Sequence, residues 1–276
     1  STELDAAQGQ AWLDYMAPFF SRYHVTPPTA LSCIYPSFLD NDDYLKVVLE
    51  TRPKAVSFHF GLPHPQQIQA LKAAGIVTMV SATNLIEAKA IEAAGIDVII
   101  AQGIEAGGHR GVFNQAVDSA ITTKDLVQLF KAHCHLPIVA AGGIMNGQHA
   151  AKMLNLGANA VQMGTAFIQC KSSNASSAYR KALFQQPITQ ITSSISGRPA
   201  RGLVNHWHTQ VDQPERPTVP PYPYTYDLAK QLHQTASAQD EHHFAAFWAG
   251  TRVAHIRALE PADLINLVML EMKMPS

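Results

Sequence analysis

Charge is scarce in this chain. Only 15% of its 276 residues are Asp, Glu, Lys or Arg, and 20 basic side chains nearly cancel 21 acidic ones. A net charge of -1 gives no electrostatic basis for binding nucleic acid or an anionic membrane. Long apolar runs are also lacking, since none approaches the ~18 residues needed to span a bilayer. The opening Ser1-Thr2-Glu3-Leu4-Asp5 does not read as a secretory signal, which needs a basic and then an apolar segment. Cysteine is nearly missing: Cys33, Cys134 and Cys170 are odd in number and scattered. That pattern predicts reduced thiols and a cytoplasmic protein. His133-Cys134-His135 has no second ligand pair at zinc spacing, so no metal is expected. So little charge also leaves surface for a homo-oligomeric interface.

What the chain does have is apolar bulk and glycine at chosen places. With 47% hydrophobic residues it can bury a large core in one or two domains. Its middle alternates strand and helix. Lys54–Gly61 reads as a strand, 65–74 as a helix with Ile68, Leu71 and Ala74 on one face, and 76–81 as the next strand. A helix over 85–94, a strand at 98–100, a helix over 123–133, a strand at 138–141, a helix over 148–156 and a strand at 160–163 follow. The phrase Ala-Ala-Gly-Ile recurs at 73–76 and 93–96, closing two successive helices.

Apolar strands separated by amphipathic helices predict a parallel sheet covered by helices. The short period favours a TIM-type (β/α)8 barrel over a doubly wound sheet. Only five such strands are visible, so three strands of an eight-stranded barrel are unaccounted for. The expected organisation is a helical lead-in over 1–53, parallel βα units over 54–170, and a loop-rich and helical cap over 171–276. Within that cap, 194–205 reads as turn-rich and the last fifty residues as helical.

Three strand ends carry the chemistry. The first is Gln102-Gly103-Ile104-Glu105-Ala106-Gly107-Gly108-His109-Arg110-Gly111, which spends glycines around one histidine. The second is Ala140-Ala141-Gly142-Gly143-Ile144, and the third is Gln162-Met163-Gly164-Thr165-Ala166-Phe167. Glycines at the carboxyl end of a strand let backbone amides approach a ligand, and a histidine exchanges protons near neutral pH. In barrels these ends form the ligand site. The pattern points to an enzyme.

These motifs, with Ser196-Gly197-Arg198-Pro199-Ala200-Arg201-Gly202 and the set Tyr222, Tyr226 and Lys230, resemble the nitronate monooxygenases, class I, formerly called 2-nitropropane dioxygenases. The resemblance runs nearly end to end. It implies an FMN-dependent barrel enzyme that oxidises alkyl nitronates of the propionate 3-nitronate type with O2, a detoxification. By the same resemblance His109 is the catalytic residue, either deprotonating a nitroalkane or holding the anionic nitronate. Gln102, Gly107, Gly142, Gly143, Gln162, Met163, Gly164 and Thr165 would bind FMN, with the phosphate at Gly142, Gly143, Gly164 and Thr165. One of Gln162 and Met163 is expected to face the core instead. Tyr222, Tyr226 and Lys230, on one helical face by spacing, would line the substrate pocket.

Two departures from the family stand out. Its members carry three strands before the segment that matches this chain, which implies an incomplete barrel unless another segment supplies them. Ala249-Gly250-Thr251-Arg252 differs where the family often has glutamine after the glycine. Two alternatives follow: an FMN-dependent enoyl reductase sharing the barrel and a similar glycine–histidine loop, or an inactive scaffold.

Overall fold

The computed structural model describes residues 3–185 and 187–274. Two helices come first, α1 (Ala6–Ser21) and α2 (Asp42–Thr51). The βα units follow as β1 (Ala55–Phe58), α3 (Pro65–Ala73), β2 (Val77–Ala82), α4 (Leu85–Ala93) and β3 (Val98–Gln102). After a two-residue strand β4 (Gly108–His109) come α5 (Thr123–His133), β5 (Ile138–Ala141), α6 (Gly147–Asn155) and β6 (Ala160–Gln162). Each sequence-expected element of the 54–163 stretch is present within a few residues.

β1, β2, β3, β5 and β6 pair in that order, all parallel, with β1 and β6 at the two edges. The sheet is a curled half-barrel, consistent with a TIM-like barrel. Strand alternation explains its two faces. Val80, Ile99, Ile138 and Ala140 pack against Ile91, Leu126, Phe130 and Met153 from the covering helices. Ile100, Val139 and Ala141 point the other way and form a small second cluster with Met79 and Val98. Helix starts are fixed by side-chain caps: Asn84 accepts from the Glu87 amide at 3.0 Å and Asn146 from the His149 amide at 2.8 Å.

The carboxyl-terminal part is richer than its sequence suggests. α7 (Ser177–Gln185) is followed by two strands, β7 (Thr189–Thr192) and β8 (Ala200–Leu203), inside what reads as a turn-rich cap. They join β4 in a three-stranded antiparallel sheet, order β4-β8-β7. Their four-residue length and polar content, including Arg201, hide them from any apolar pattern. The last fifty residues hold α8 (Tyr224–Ser237) and α9 (Pro261–Glu271), joined by a long irregular stretch and not by continuous helix. α1 does not lie on the parallel sheet. Its Trp12, Met16, Phe19 and Phe20 share one buried core with Trp207, Leu228, Leu232 and Phe244, so lead-in and cap pack as one unit. Among the described residues, no helix is long and apolar enough to cross a membrane.

Candidate active site

His109 lies on β4, and β4 is clamped by β8: Gly108 pairs with Arg201 and His109 with Ala200. The Arg110 amide extends the ladder by donating to the Pro199 carbonyl at 2.8 Å. Two motifs far apart in sequence thus meet as neighbouring strands. The His109 ring is 2.8 Å, through Nε2, from Ser196 Oγ. Around it stand Trp248 at 5.4 Å, Tyr222 at 5.5 Å, Phe60 at 5.6 Å and Tyr226 at 6.1 Å between ring centroids. Burial in this aromatic box, with the nearby charges of His59 and Arg198 adding to it, pulls the His109 pKa down to about 4. The ring is neutral at pH 7.

The loop carrying His109 is held by buried polar groups. Gln102 donates from Nε2 to the His109 carbonyl at 2.9 Å, and its Oε1 accepts from the Gly111 amide at 2.7 Å and Arg110 Nη1 at 3.1 Å. Arg110, 0% exposed, also donates to the Gly103 carbonyl at 2.6 Å and forks onto Asp118 at 2.8 and 3.2 Å. The arginine beside it holds the Asp118 carboxyl below its usual range against the opposing effect of burial. His59 Nε2 is 3.1 Å from the same His109 carbonyl, and its Nδ1 is 2.9 Å from Ser81 Oγ. A carbonyl only accepts, so Nε2 of His59 carries the proton. Phe60, next in the chain, has φ +73°, a left-handed backbone uncommon for a bulky residue. Its ring supports the Arg198 guanidinium at 4.2 Å.

Beside this box a cavity of about 120 Å3 opens between the ends of β3, β5 and β6. Gln102, Gly107, Gly142, Gly143, Gln162, Gly164, Thr165, Gly250 and Arg252 are among its lining residues. Gly142 and Gly143 turn with φ +114° and +67°, a left-handed backbone that favours glycine. Gly164 is different. Its φ is -110°, which any residue adopts, and a Cβ there would meet nothing within 4 Å. Among the described glycines it alone has neither a backbone nor an internal steric reason to be glycine. Thr165 Oγ1 accepts from the Gly250 amide at 3.0 Å, leaving its own proton to donate into the cavity.

A family model described as nitronate monooxygenase matches residues 26–271. A curated nitronate monooxygenase of Pseudomonas aeruginosa is 48% identical over 274 residues, 98% of this chain and 78% of that protein. The chain belongs to the nitronate monooxygenase family. Among solved structures, nitroalkane oxidase from Streptomyces ansochromogenes superposes with a TM-score of 0.86 at 33% identity, covering 98% of this chain and 78% of its own. FabK from Thermotoga maritima is more distant, with a TM-score of 0.68 at 27% identity over 86% of this chain and 73% of its own. The family is one of flavin-dependent oxidoreductases, so the chain is an enzyme of that class.

Within this family frame, most of the residues singled out in the sequence converge on the mouth of the sheet. Met163 does not. β6 alternates, so Gln162 faces the cavity while Met163 packs among core residues on the other side. Tyr222 is not on a shared helical face either, because α8 begins after it and a cis Tyr222–Pro223 bond separates the two. Tyr222 and Tyr226 still meet, with ring centroids 6.4 Å apart. Lys230 is an exposed residue on α8 whose Nζ donates to the Tyr35 hydroxyl at 2.6 Å and sits 4.9 Å above the Tyr35 ring. Tyr35, Phe60 and Trp248 stand at this candidate site without being singled out in the sequence, and Ser196 is named there only as part of a motif. Phe60 announces itself only through its backbone, and Tyr35 only through contacts with residues distant in the chain.

Proposed function

We propose that this chain oxidises alkyl nitronates of the propionate 3-nitronate type with O2, through FMN bound at the mouth of the parallel sheet. We read that sheet as part of a (β/α)8 barrel, with 54–170 as its βα units and 1–53 and 171–276 as lead-in and cap. The observation that carries the cofactor assignment is Gly164, which has an ordinary φ and open space where its Cβ would stand, beside the cavity that the glycine turns line. The residues present fit a flavin phosphate. Gly142, Gly143 and Gly164 let it approach the backbone, and Thr165 offers a hydroxyl. Gln162, Gln102 and Gly107 line the same cavity, and Gln102 also reaches the His109 carbonyl. Met163 packs its side chain against two core clusters, so its part in the binding set falls to its backbone.

The chemistry that the flavin supplies when bound is electron transfer from the nitronate to O2. The protein's own groups bind, orient and hold protons. His109, neutral and walled by aromatic rings, accepts a proton from a nitroalkane or donates a hydrogen bond to a nitronate already formed. Tyr222 and Tyr226 close the wall opposite and exclude water. Burial raises the Tyr222 pKa, so its hydroxyl keeps its proton. Lys230, whose pKa the Tyr35 hydrogen bond raises, stays positive at the rim where an anionic substrate would enter.

The test is the flavin content of the purified chain followed by oxygen uptake with propionate 3-nitronate. One FMN per chain with nitronate-dependent uptake is expected. A colourless, inactive chain would support the scaffold reading, and bleaching of the flavin by NADH would support the reductase one.

A further inference from the structure

Thirteen residues line the cavity at the ends of β3, β5 and β6, and Arg252 is the one charged side chain among them. The others are glycine, alanine, isoleucine, methionine, threonine and glutamine. Backbone amides and a hydroxyl supply only partial charges. A phosphate monoester carries about -1.5 to -2 at neutral pH. Burying that charge against neutral groups alone is costly, and burying it beside a cation is far less so.

Arg252 is placed to be that cation. Its side chain crosses the glycine turn, with Cδ 3.8 Å from where a Gly143 Cβ would stand. Among the described residues it has no ion pair, whereas Arg110, Arg216 and Arg257 each hold a carboxylate. The nearby His149 does not share the task. Burial first, and the charge of Arg252 next, pull its pKa down to about 4, so it is neutral at pH 7. The segment carrying Arg252 is itself fixed, since the Thr251 amide donates to the Glu105 carbonyl at 3.0 Å and the Gly250 amide to Thr165.

We infer that Arg252 is a specificity-determining residue that pairs with the terminal phosphate of the flavin, making this site select the phosphorylated cofactor over riboflavin. The inference rests on the flavin reading above and sharpens it. A guanidinium presents paired donors that match phosphate oxygens, so lysine should replace it only in part.

The experiment titrates the apoprotein with FMN and with riboflavin, following flavin fluorescence, for the wild type, Arg252→Met and Arg252→Lys. Loss of a charged hydrogen-bond partner should weaken FMN binding by about ten- to a hundredfold in Arg252→Met. Riboflavin binding should stay within about twofold, and Arg252→Lys should fall between. Equal weakening of both flavins would overturn the proposal and make Arg252 a scaffold residue, as would unchanged FMN affinity, while the flavin reading survived either result. A wild-type chain that bound neither flavin would overturn both together. Circular dichroism of Arg252→Met separates loss of binding from loss of fold, and Arg252→Lys decides the question if the methionine variant misfolds.

Discussion

The Ser196 hydroxyl stands 2.8 Å from Nε2 of His109 and 3.1 Å from the Arg198 carbonyl. A hydroxyl has one proton. Given to the Arg198 carbonyl, it leaves Ser196 accepting from His109 Nε2, with the ring's lone pair on Nδ1; given to His109, it leaves the ring's proton on Nδ1. The pairing spans 87 residues and exists because β4 and β8 lie side by side.

Ser196→Ala should therefore release the ring's tautomer and orientation without touching the glycine-lined cavity. A lost neutral hydrogen bond of about 1 kcal/mol predicts roughly a five- to tenfold fall in kcat/KM. Flavin absorbance per chain should not change. Loss of flavin in this variant would mean that Ser196 supports the fold of the loop and not the histidine.

His109→Asn should keep its flavin and separate two substrate classes. Neutral nitroalkanes must lose a proton and should react poorly, whereas nitronates arrive deprotonated and should suffer less. Steady-state oxygen uptake with both substrates measures the split. Equal loss would leave His109 with positioning alone.

Gly164→Val tests the cavity. Its Cβ would enter open space and meet no protein atom within 4 Å, so the apoprotein should fold with unchanged melting temperature. Flavin content should drop to near zero, because the new side chain occupies the room left for the ligand. Stoichiometric flavin in this variant would remove the cavity from the cofactor site.

The parallel sheet and its helices were legible because each strand is an apolar run and each helix an amphipathic one. The antiparallel sheet was not. Thr189-Gln190-Ile191-Thr192 and Ala200-Arg201-Gly202-Leu203 carry no strand pattern, and what makes them strands is a ladder with each other and with β4. His109, Gly142, Gly143, Gly164 and Thr165 could be picked out because glycine at a strand end is a local signal. Which of Gln162 and Met163 faces the cavity is a question of register, and both faces of such a strand accept apolar side chains. Tyr35 and Trp248 reach the histidine box only through tertiary packing, so neither has a local signature to read.

The depressed histidines give a pH dependence of stability. Burial holds His109 and His149 at pKa values of about 4, against an ordinary value of 6.5. The unfolded chain takes up these protons once the pH falls below ~6.5, while the folded chain refuses them until near 4. Unfolding is therefore coupled to proton uptake across that window. Stability is fully present above 6.5 and falls as the pH drops toward 4, by up to about 3 kcal/mol for His109 alone. The melting temperature measured from pH 8 to 4.5 should decline through this range before the carboxylates begin to titrate. In His109→Asn the decline should be shallower, because one of the depressed histidines is gone, while His59, His149, His206, His208 and His233 remain. A slope identical to that of the wild type would show that the aromatic box leaves His109 free to charge, and the neutral ring assigned to the reaction would have to be abandoned.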